Sequence, residues 1–175
     1  MEKAIFAGGC FWCTEAIFQN LKGVAIVRSG YIGGHIKNPS YKEICRGDTG
    51  HAEAIEIEFD PEIISYEKLL EIFWSTHDPT TINRQGADKG TQYRSAVFYL
   101  DTNQKLSAEK LKTEFASKIW DNPIVTEISM ASTFYPAENY HQNYFNNNPE
   151  QYYCQLVINP KLSKLRAQFS SLLKS

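Results

Sequence analysis

Two cysteines separated by two aromatic residues are the part of this sequence best suited to chemistry. They lie in AGGCFWCTE, where Cys10 and Cys13 flank Phe11 and Trp12 and follow two glycines. A Cys-x-x-Cys pair serves as half of a zinc site, as a dithiol redox pair, or as one reactive cysteine with an incidental neighbour. The three alternatives differ in what else the chain must supply.

A structural zinc site is the least favoured alternative, because it takes four ligands that usually come in closely spaced pairs. The other two cysteines, Cys45 and Cys154, stand alone and far apart in the sequence. The four histidines do not pair at ligand spacing: His35, His51, His77 and His141. We therefore expect no metal site.

The two remaining alternatives both place the pair at the start of a helix. If Cys10 and Cys13 share the first helical turn, their β-carbons lie about 5–6 Å apart, which leaves a dithiol possible. If Cys10 is a single nucleophile, the preceding glycines let the chain turn from a strand into the helix, whose free N–H groups lower the pKa of a thiol. The competing interpretation is a buried, inert thiol among core aromatic residues.

The composition is that of an ordinary globular domain. Of the 175 residues, 42% are hydrophobic and 22% are charged, and the formal net charge is −2. This length suits a single domain over 1–175, and the scattered basic residues predict neither a nucleic-acid partner nor a membrane partner. The chain opens MEKAIFAGGC without a basic and apolar leader, so we expect a cytoplasmic protein with reduced cysteines.

Alternating strands and helices must position these cysteines. Strands are predicted over 2–7, 24–32, 54–59, 93–100 and 124–131. Helices are predicted over 10–21, 65–77, 102–120, 137–145 and after Pro160, with a short helix inside 38–47 and a polar loop over 78–92. In 54–59, isoleucine and phenylalanine alternate with glutamate, which is typical of a strand with one solvated face. Such strands favour an α+β fold with a mixed or antiparallel sheet over a doubly wound parallel one.

Six segments together carry a resemblance to a known family. In chain order they are GCFWCTE, GYIGG, NPSY, GDTGHAE, HDPTTINRQGADKGTQYRS and FYPAENYHQNYF. In these segments the chain resembles the peptide methionine sulfoxide reductase A family from about residue 4 to residue 160. The resemblance implies a ferredoxin-like two-layer α+β sandwich with a long irregular C-terminal segment, and no metal or organic cofactor.

The resemblance also implies a function, which is reduction of methionine S-sulfoxide, protein-bound or free, with thioredoxin as the reductant. One reductase is used for each sulfoxide epimer. The expected partners are therefore oxidised proteins, free methionine sulfoxide and thioredoxin, and we expect a monomer. Two rivals remain open: a general thiol–disulfide oxidoreductase that uses the Cys10/Cys13 pair, and a module that only binds methionine-bearing peptides.

The resemblance assigns roles to individual residues. Cys10 is the nucleophile and becomes a sulfenic acid, and Glu53 is the general acid. To hold its proton near neutral pH, Glu53 needs a pKa raised by burial beside aromatic residues. The other matching positions are Tyr41 and Tyr93 for the sulfoxide oxygen, Asp88 as an acidic support, and Phe11 and Trp12 for the terminal methyl group.

Each of these positions also has a structural alternative. Glu53 is equally compatible with a solvated carboxylate at a strand edge, Asp88 with a turn aspartate, and the two tyrosines with the core. We expect structural hydrogen bonds from His51 and His141. Glu15, one turn after Cys10, is also expected to be structural, because a nearby carboxylate would raise the pKa of the thiol.

The recycling thiols are less clearly indicated. Cys154 matches the resolving position of the family, in a segment over 146–175 that we expect to be mobile and to carry a terminal helix. Many relatives have glycine at position 13 and a further cysteine downstream, and this chain departs from both features. The relay therefore runs either from Cys10 to Cys154, which is favoured, or from Cys10 directly to Cys13. Cys45 is expected to be buried and without chemistry.

Overall fold

A six-stranded mixed β-sheet forms the centre of the protein, which the computed structural model describes over residues 1–174. Six strands build this sheet and two build a small hairpin. In chain order the strands are β1 Glu2–Gly8, β2 Val24–Ile32, β3 Ala52–Phe59, β4 Arg84–Gln85, β5 Asp88–Lys89, β6 Ser95–Tyr99, β7 Glu127–Met130 and β8 Tyr135–Pro136.

The helices connect the strands and pack against the sheet. They are α1 Phe11–Phe18, α2 Tyr41–Cys45, α3 Tyr66–Thr76, α4 Thr102–Leu111, α5 Ser117–Ile119, α6 Tyr144–Asn147 and α7 Asn159–Phe169. Two π-helical segments, Lys112–Ala116 and Cys154–Ile158, lead into α5 and α7, and short 3₁₀ turns occur at Thr91–Tyr93, Asn139–His141 and Ser170–Leu172.

The strand order across the large sheet is β7-β6-β1-β3-β2-β8. All pairs are antiparallel except β6–β7, which is parallel. Helices α1 and α3 pack on one face, where β1 and β3 contribute large side chains to the main core. The other face holds a smaller cluster rich in alanine. The prediction of an α+β fold with a mixed sheet packed by helices is confirmed.

The C-terminal segment differs from the prediction. We expected a long irregular and mobile segment over 146–175, but the chain is helical from Cys154 to Phe169, and Ser175 lies outside the described residues. Apolar residues at positions 154, 158, 162 and 165 explain this, because one helical face is buried in the main core. The predicted helix after Pro160 is therefore part of a longer one.

Other elements also differ from the prediction: the strand predicted over 124–131 is shorter, at Glu127–Met130, and three further differences lie in other segments. The strand predicted over 93–100 begins only at Ser95, because a 3₁₀ turn ends at Tyr93. The loop predicted over 78–92 contains the hairpin of β4 and β5. The helix predicted over 137–145 is a 3₁₀ turn followed by the start of α6, with Asn143 in the left-handed region between them at φ 55°.

Candidate active site

A sharp turn between β1 and α1 places Cys10 at the start of the helix. Gly9 has φ +90°, and a β-carbon there would lie 2.6 Å from Cγ of Gln85, so this position requires glycine. Cys10 follows as the residue that precedes the first helical turn, and the backbone N–H of Cys13 donates to its carbonyl oxygen at 3.0 Å. The sequence prediction of a glycine-mediated turn into the helix is confirmed.

The predicted lowering of the Cys10 pKa is wrong. Cys10 is only 7% exposed, and this burial raises the pKa of its thiol well above the ordinary value. The nearby Glu53 and Cys13 raise it further, whereas the backbone N–H of Trp12 lowers it. The helix N-terminus does act in the expected direction, but desolvation outweighs it.

Glu53 lies on the central strand β3, so it is not a strand-edge carboxylate. It is 1% exposed, and burial raises its pKa to about 8. Its Oε1 accepts a hydrogen bond from the backbone N–H of Phe11 at 3.1 Å, while its Oε2 is buried without a partner. The requirement that Glu53 be desolvated is therefore met, and the carboxyl is mostly protonated at neutral pH.

Tyr41 and Tyr93 lie near both Cys10 and Glu53. A capping box fixes the start of α2: the Ser40 hydroxyl accepts from Glu43 N–H, and the Glu43 carboxylate accepts from Ser40 N–H. Tyr41 is the first residue of this helix, and Tyr93 ends a 3₁₀ turn. Burial and the nearby Glu53 raise the pKa of both phenols, so both hydroxyls keep their protons.

The aromatic residues next to Cys10 pack against other rings. Phe11 packs against Tyr41 with ring centroids 6.4 Å apart. Trp12 stacks on Tyr144 at 3.8 Å, and its indole N–H donates to Nδ1 of His141 at 3.0 Å. His141 and Tyr144, from the segment around α6, thus form a wall against the aromatic residues of the cysteine motif. His141 makes the structural hydrogen bond that we expected.

Three residues that sequence reasoning did not assign to the site hold this wall in place. The buried Glu15 carboxylate accepts from the backbone N–H groups of Asn143 and Tyr144 at 2.9 and 3.2 Å. The Glu138 carboxylate accepts from Tyr41 N–H at 2.9 Å, and the Gln142 side chain pairs with both backbone groups of Ser29. The signal was present, because Glu138 and Gln142 belong to the quoted motif FYPAENYHQNYF.

His51 is also structural, as predicted. Its Nδ1 accepts a hydrogen bond from Gly34 N–H at 3.0 Å, and its Nε2 lies 2.7 Å from the Ile36 carbonyl oxygen. Both ring nitrogens therefore hold the loop between β2 and α2.

The second and third thiols are both buried. Cys13 is buried, and its Sγ is 3.6 Å from Oη of Tyr153, which donates to Asp88 Oδ2 at 2.8 Å. Cys154 is 0% exposed within a π-helical segment, so it is not in a mobile tail. Burial is the main cause of the raised pKa of Cys13, and the nearby Cys154 thiol is a smaller one.

Cys45 is exposed, so the prediction that it is buried is wrong. The short helix α2 ends at this residue, and only Ile44 among the residues of that helix is buried. Over residues 1–174, no group of three or more His, Cys, Asp or Glu side chains is arranged to hold a metal ion. No helix in this part of the chain has the length and apolar character needed to cross a membrane.

Comparison with known proteins identifies the family of this chain. The family model for peptide methionine sulfoxide reductase matches residues 2–173. The chain is 56% identical over 176 residues to the peptide methionine sulfoxide reductase MsrA of Chromobacterium violaceum, covering 100% of both. The reduced form of Mxr1 from Saccharomyces cerevisiae has a TM-score of 0.83 and 37% identity, covering 87% of this chain and 88% of that chain. Mxr1 in complex with Trx2 has a TM-score of 0.59 and 26% identity, covering 82% of this chain and 84% of that chain. The chain belongs to the peptide methionine sulfoxide reductase family.

Proposed function

We propose that this protein reduces methionine S-sulfoxide, in proteins and as the free amino acid, to methionine. The observation that carries the proposal is the buried Cys10 thiol next to Glu53, a buried carboxyl with a pKa of about 8 and an unpartnered Oε2. Family membership supports the same activity. Thiol–disulfide exchange breaks no sulfur–oxygen bond, so it needs no acid to protonate a leaving oxygen.

The acid solves the main difficulty of the reaction, which is that oxide and hydroxide are poor leaving groups. The methyl group of the substrate packs beside Phe11 and Trp12, and the sulfoxide oxygen of the substrate then faces Glu53 Oε2. The hydroxyls of Tyr41 and Tyr93, which keep their protons, hold the same oxygen. Hydrogen bonds of this kind stabilise the charge that develops on oxygen in the transition state.

Cys10 attacks the sulfoxide sulfur while Glu53 protonates the oxygen. The sulfur–oxygen bond of the substrate breaks, the oxygen passes to the Cys10 sulfur, and methionine leaves. Cys10 then carries a sulfenic acid. The proton lost by the thiol replaces the one that Glu53 donated, so the carboxyl ends the step protonated. These residues alone supply the chemistry, so we propose that the reaction takes no metal or organic cofactor.

We propose Cys13 as the resolving thiol, in place of Cys154, which the sequence analysis favoured. It lies in the same helical turn as Cys10, whereas Cys154 is held inside the core by the helix that contains it. Cys13 therefore attacks the sulfenic acid first, and Cys154 then exchanges into that disulfide. Thioredoxin or another dithiol reduces the last disulfide, as the complex of Mxr1 with Trx2 suggests for this family.

A single-turnover experiment tests this order. Reduced enzyme is mixed with methionine sulfoxide without reductant, quenched with dimedone, and measured by intact mass. Cys13→Ser is expected to accumulate the dimedone adduct of Cys10, whereas Cys154→Ser still forms a Cys10–Cys13 disulfide. The opposite pattern in the two variants would show that Cys154 attacks directly.

Turnover of the separate S and R epimers, with dithiothreitol and with thioredoxin, tests the function itself. We expect consumption of the S epimer only, both as the free amino acid and in an oxidised peptide. If neither epimer is consumed while insulin disulfides are reduced, the protein is a general thiol–disulfide oxidoreductase instead.

We also propose that the four strands β6, β1, β3 and β2 are a ferredoxin-like core. Their order and the helices between them follow the split β-α-β pattern. A single catalytic domain over 1–175, acting as a monomer in the cytoplasm, completes the proposal. The reducing cytoplasm suits a chain whose four cysteines are all free.

A further inference from the structure

A hydrogen-bond chain connects the second thiol of the cysteine motif to an acidic side chain. The Cys13 Sγ lies 3.6 Å from Oη of Tyr153, and the same hydroxyl lies 2.8 Å from Oδ2 of Asp88. Cys13 lies on α1, Tyr153 immediately precedes the π-helical segment Cys154–Ile158, and Asp88 lies on the hairpin strand β5. Three separate parts of the fold therefore meet at one phenol hydroxyl.

The chain has a defined direction. A tyrosine hydroxyl has one hydrogen to donate, and Tyr153 donates it to the Asp88 carboxylate. The lone pairs of Oη are then left for Cys13, so the hydrogen bond between the two runs from the thiol to the phenol oxygen. In the reduced enzyme the Cys13 proton points along a path that ends at a carboxylate.

We propose that Tyr153 is a catalytic residue of the disulfide-forming step, in which its hydroxyl accepts the proton of Cys13 and passes its own proton to Asp88. This inference rests on the proposed function, because it needs a sulfenic acid on Cys10. It adds a proton acceptor to the second half of the reaction, just as Glu53 supplies a proton donor to the first half. Asp88 acts through Tyr153 and is a positioning residue for this step.

The step balances without any further reagent. The S–H bond of Cys13 and the S–O bond of the Cys10 sulfenic acid break, and the S–S bond forms. The departing oxygen takes a proton from Glu53 and leaves as water. The thiol proton moves to Tyr153 while the phenol proton moves to Asp88. Both sulfur atoms end at the oxidation level of a disulfide, and the two carboxyl groups exchange protons with solvent afterwards.

Packing holds Tyr153 in this position. Its ring meets the ring of Trp12 edge to face, with centroids 5.8 Å apart, and the next residue, Cys154, is buried in the core. Burial of the Cys13 thiol makes such an acceptor necessary, because the thiol has little access to water. The neighbouring Tyr152 is 79% exposed, and it therefore provides a matched control one residue away.

Tyr153→Phe and Tyr152→Phe test the proposal in single turnover without reductant. Methionine formation is followed together with the dimedone adduct and the disulfide, by intact mass. In Tyr153→Phe we expect an unchanged rate of methionine formation, disulfide formation slowed about 10²-fold, and accumulation of the sulfenic acid. Tyr152→Phe is expected to behave as wild type. Equal slowing of both steps in Tyr153→Phe, or an unchanged disulfide rate, would overturn the proposal.

Asp88→Asn gives a second, independent measurement. The asparagine oxygen still accepts the hydrogen bond from Tyr153 but cannot take up its proton, so the fold is retained while the path is blocked. Sulfenic acid is expected to accumulate here as in Tyr153→Phe, and wild-type disulfide formation in Asp88→Asn would contradict the relay. If the wild-type enzyme itself formed no methionine, the proposed function would have failed rather than the relay.

Discussion

Cys10→Ser is expected to lower methionine sulfoxide turnover by at least about 10³-fold, to the background of the assay. A serine hydroxyl is a much weaker acid than a thiol, and the burial that raises the pKa of Cys10 would keep it neutral. It also cannot form a sulfenic acid, so no disulfide can follow. The rate at which each protein consumes the S epimer in the presence of dithiothreitol, compared between wild type and Cys10→Ser, measures this effect.

Cys45→Ser is the matched control for that experiment. Cys45 is the exposed thiol and has no place in the proposed relay, so the variant is expected to keep wild-type activity. A Cys10→Ser protein that still turned over would show that another thiol is the nucleophile. If the wild type showed no turnover and Cys10→Ser still bound an oxidised peptide, the protein would be a module that only binds such peptides.

The local features of the sequence predicted the framework of the site well. The alternation of Ile55, Ile57 and Phe59 with glutamate predicts a strand, and β3 contains these residues. Two glycines before Cys10 predict a turn, and the positive φ of Gly9 requires one. These predictions succeeded because strand alternation and a glycine's tolerance of positive φ can both be read from residue types close together in the sequence.

The electrostatic predictions succeeded only in part, because burial depends on residues far away in the sequence. The helix N-terminus was expected to lower the pKa of Cys10, but packing of the surrounding core raises it. The same cause raises the pKa of Glu53, and here the prediction holds, because the chemistry of the family required it. A local pattern predicts the direction of one contribution to a pKa shift, whereas burial in the tertiary structure decides the direction of the total shift.

The C-terminal segment shows the same limit. The segment over 146–175 was expected to be irregular and mobile, but Cys154, Ile158 and Leu162 on one face of its helix are buried in the main core. Just before the segment, the Glu15 carboxylate on α1 accepts from the backbone N–H groups of Asn143 and Tyr144, more than a hundred residues away in the sequence. The pairing of one carboxylate with two remote N–H groups leaves no periodic signal in the sequence.

Glu53→Gln is expected to lower kcat about 10²–10⁴-fold, the usual contribution of a general acid, with little change in KM. The amide still accepts the hydrogen bond from Phe11 N–H and still donates one to the sulfoxide oxygen, but it cannot deliver a proton. Glu58→Gln, on the same strand and paired with Arg28 at the surface, is the matched control. Full activity of Glu53→Gln would support a general thiol–disulfide oxidoreductase.

The dependence on pH separates loss of the acid from damage to the fold. With a pKa of about 8, Glu53 is protonated below that pH. The wild-type rate should therefore fall as the pH rises through about 8, and the rate of Glu53→Gln should not show this fall.

The stability of the fold depends on the same proton. In the unfolded chain Glu53 has its ordinary pKa of 4.5, so the folded state binds one more proton than the unfolded state between pH 4.5 and about 8. Stability therefore decreases as the pH rises across that window, and glutamine, which never ionises, avoids the loss. Urea unfolding at pH 7.5 should find Glu53→Gln at least as stable as wild type, which ties its low kcat to the missing proton.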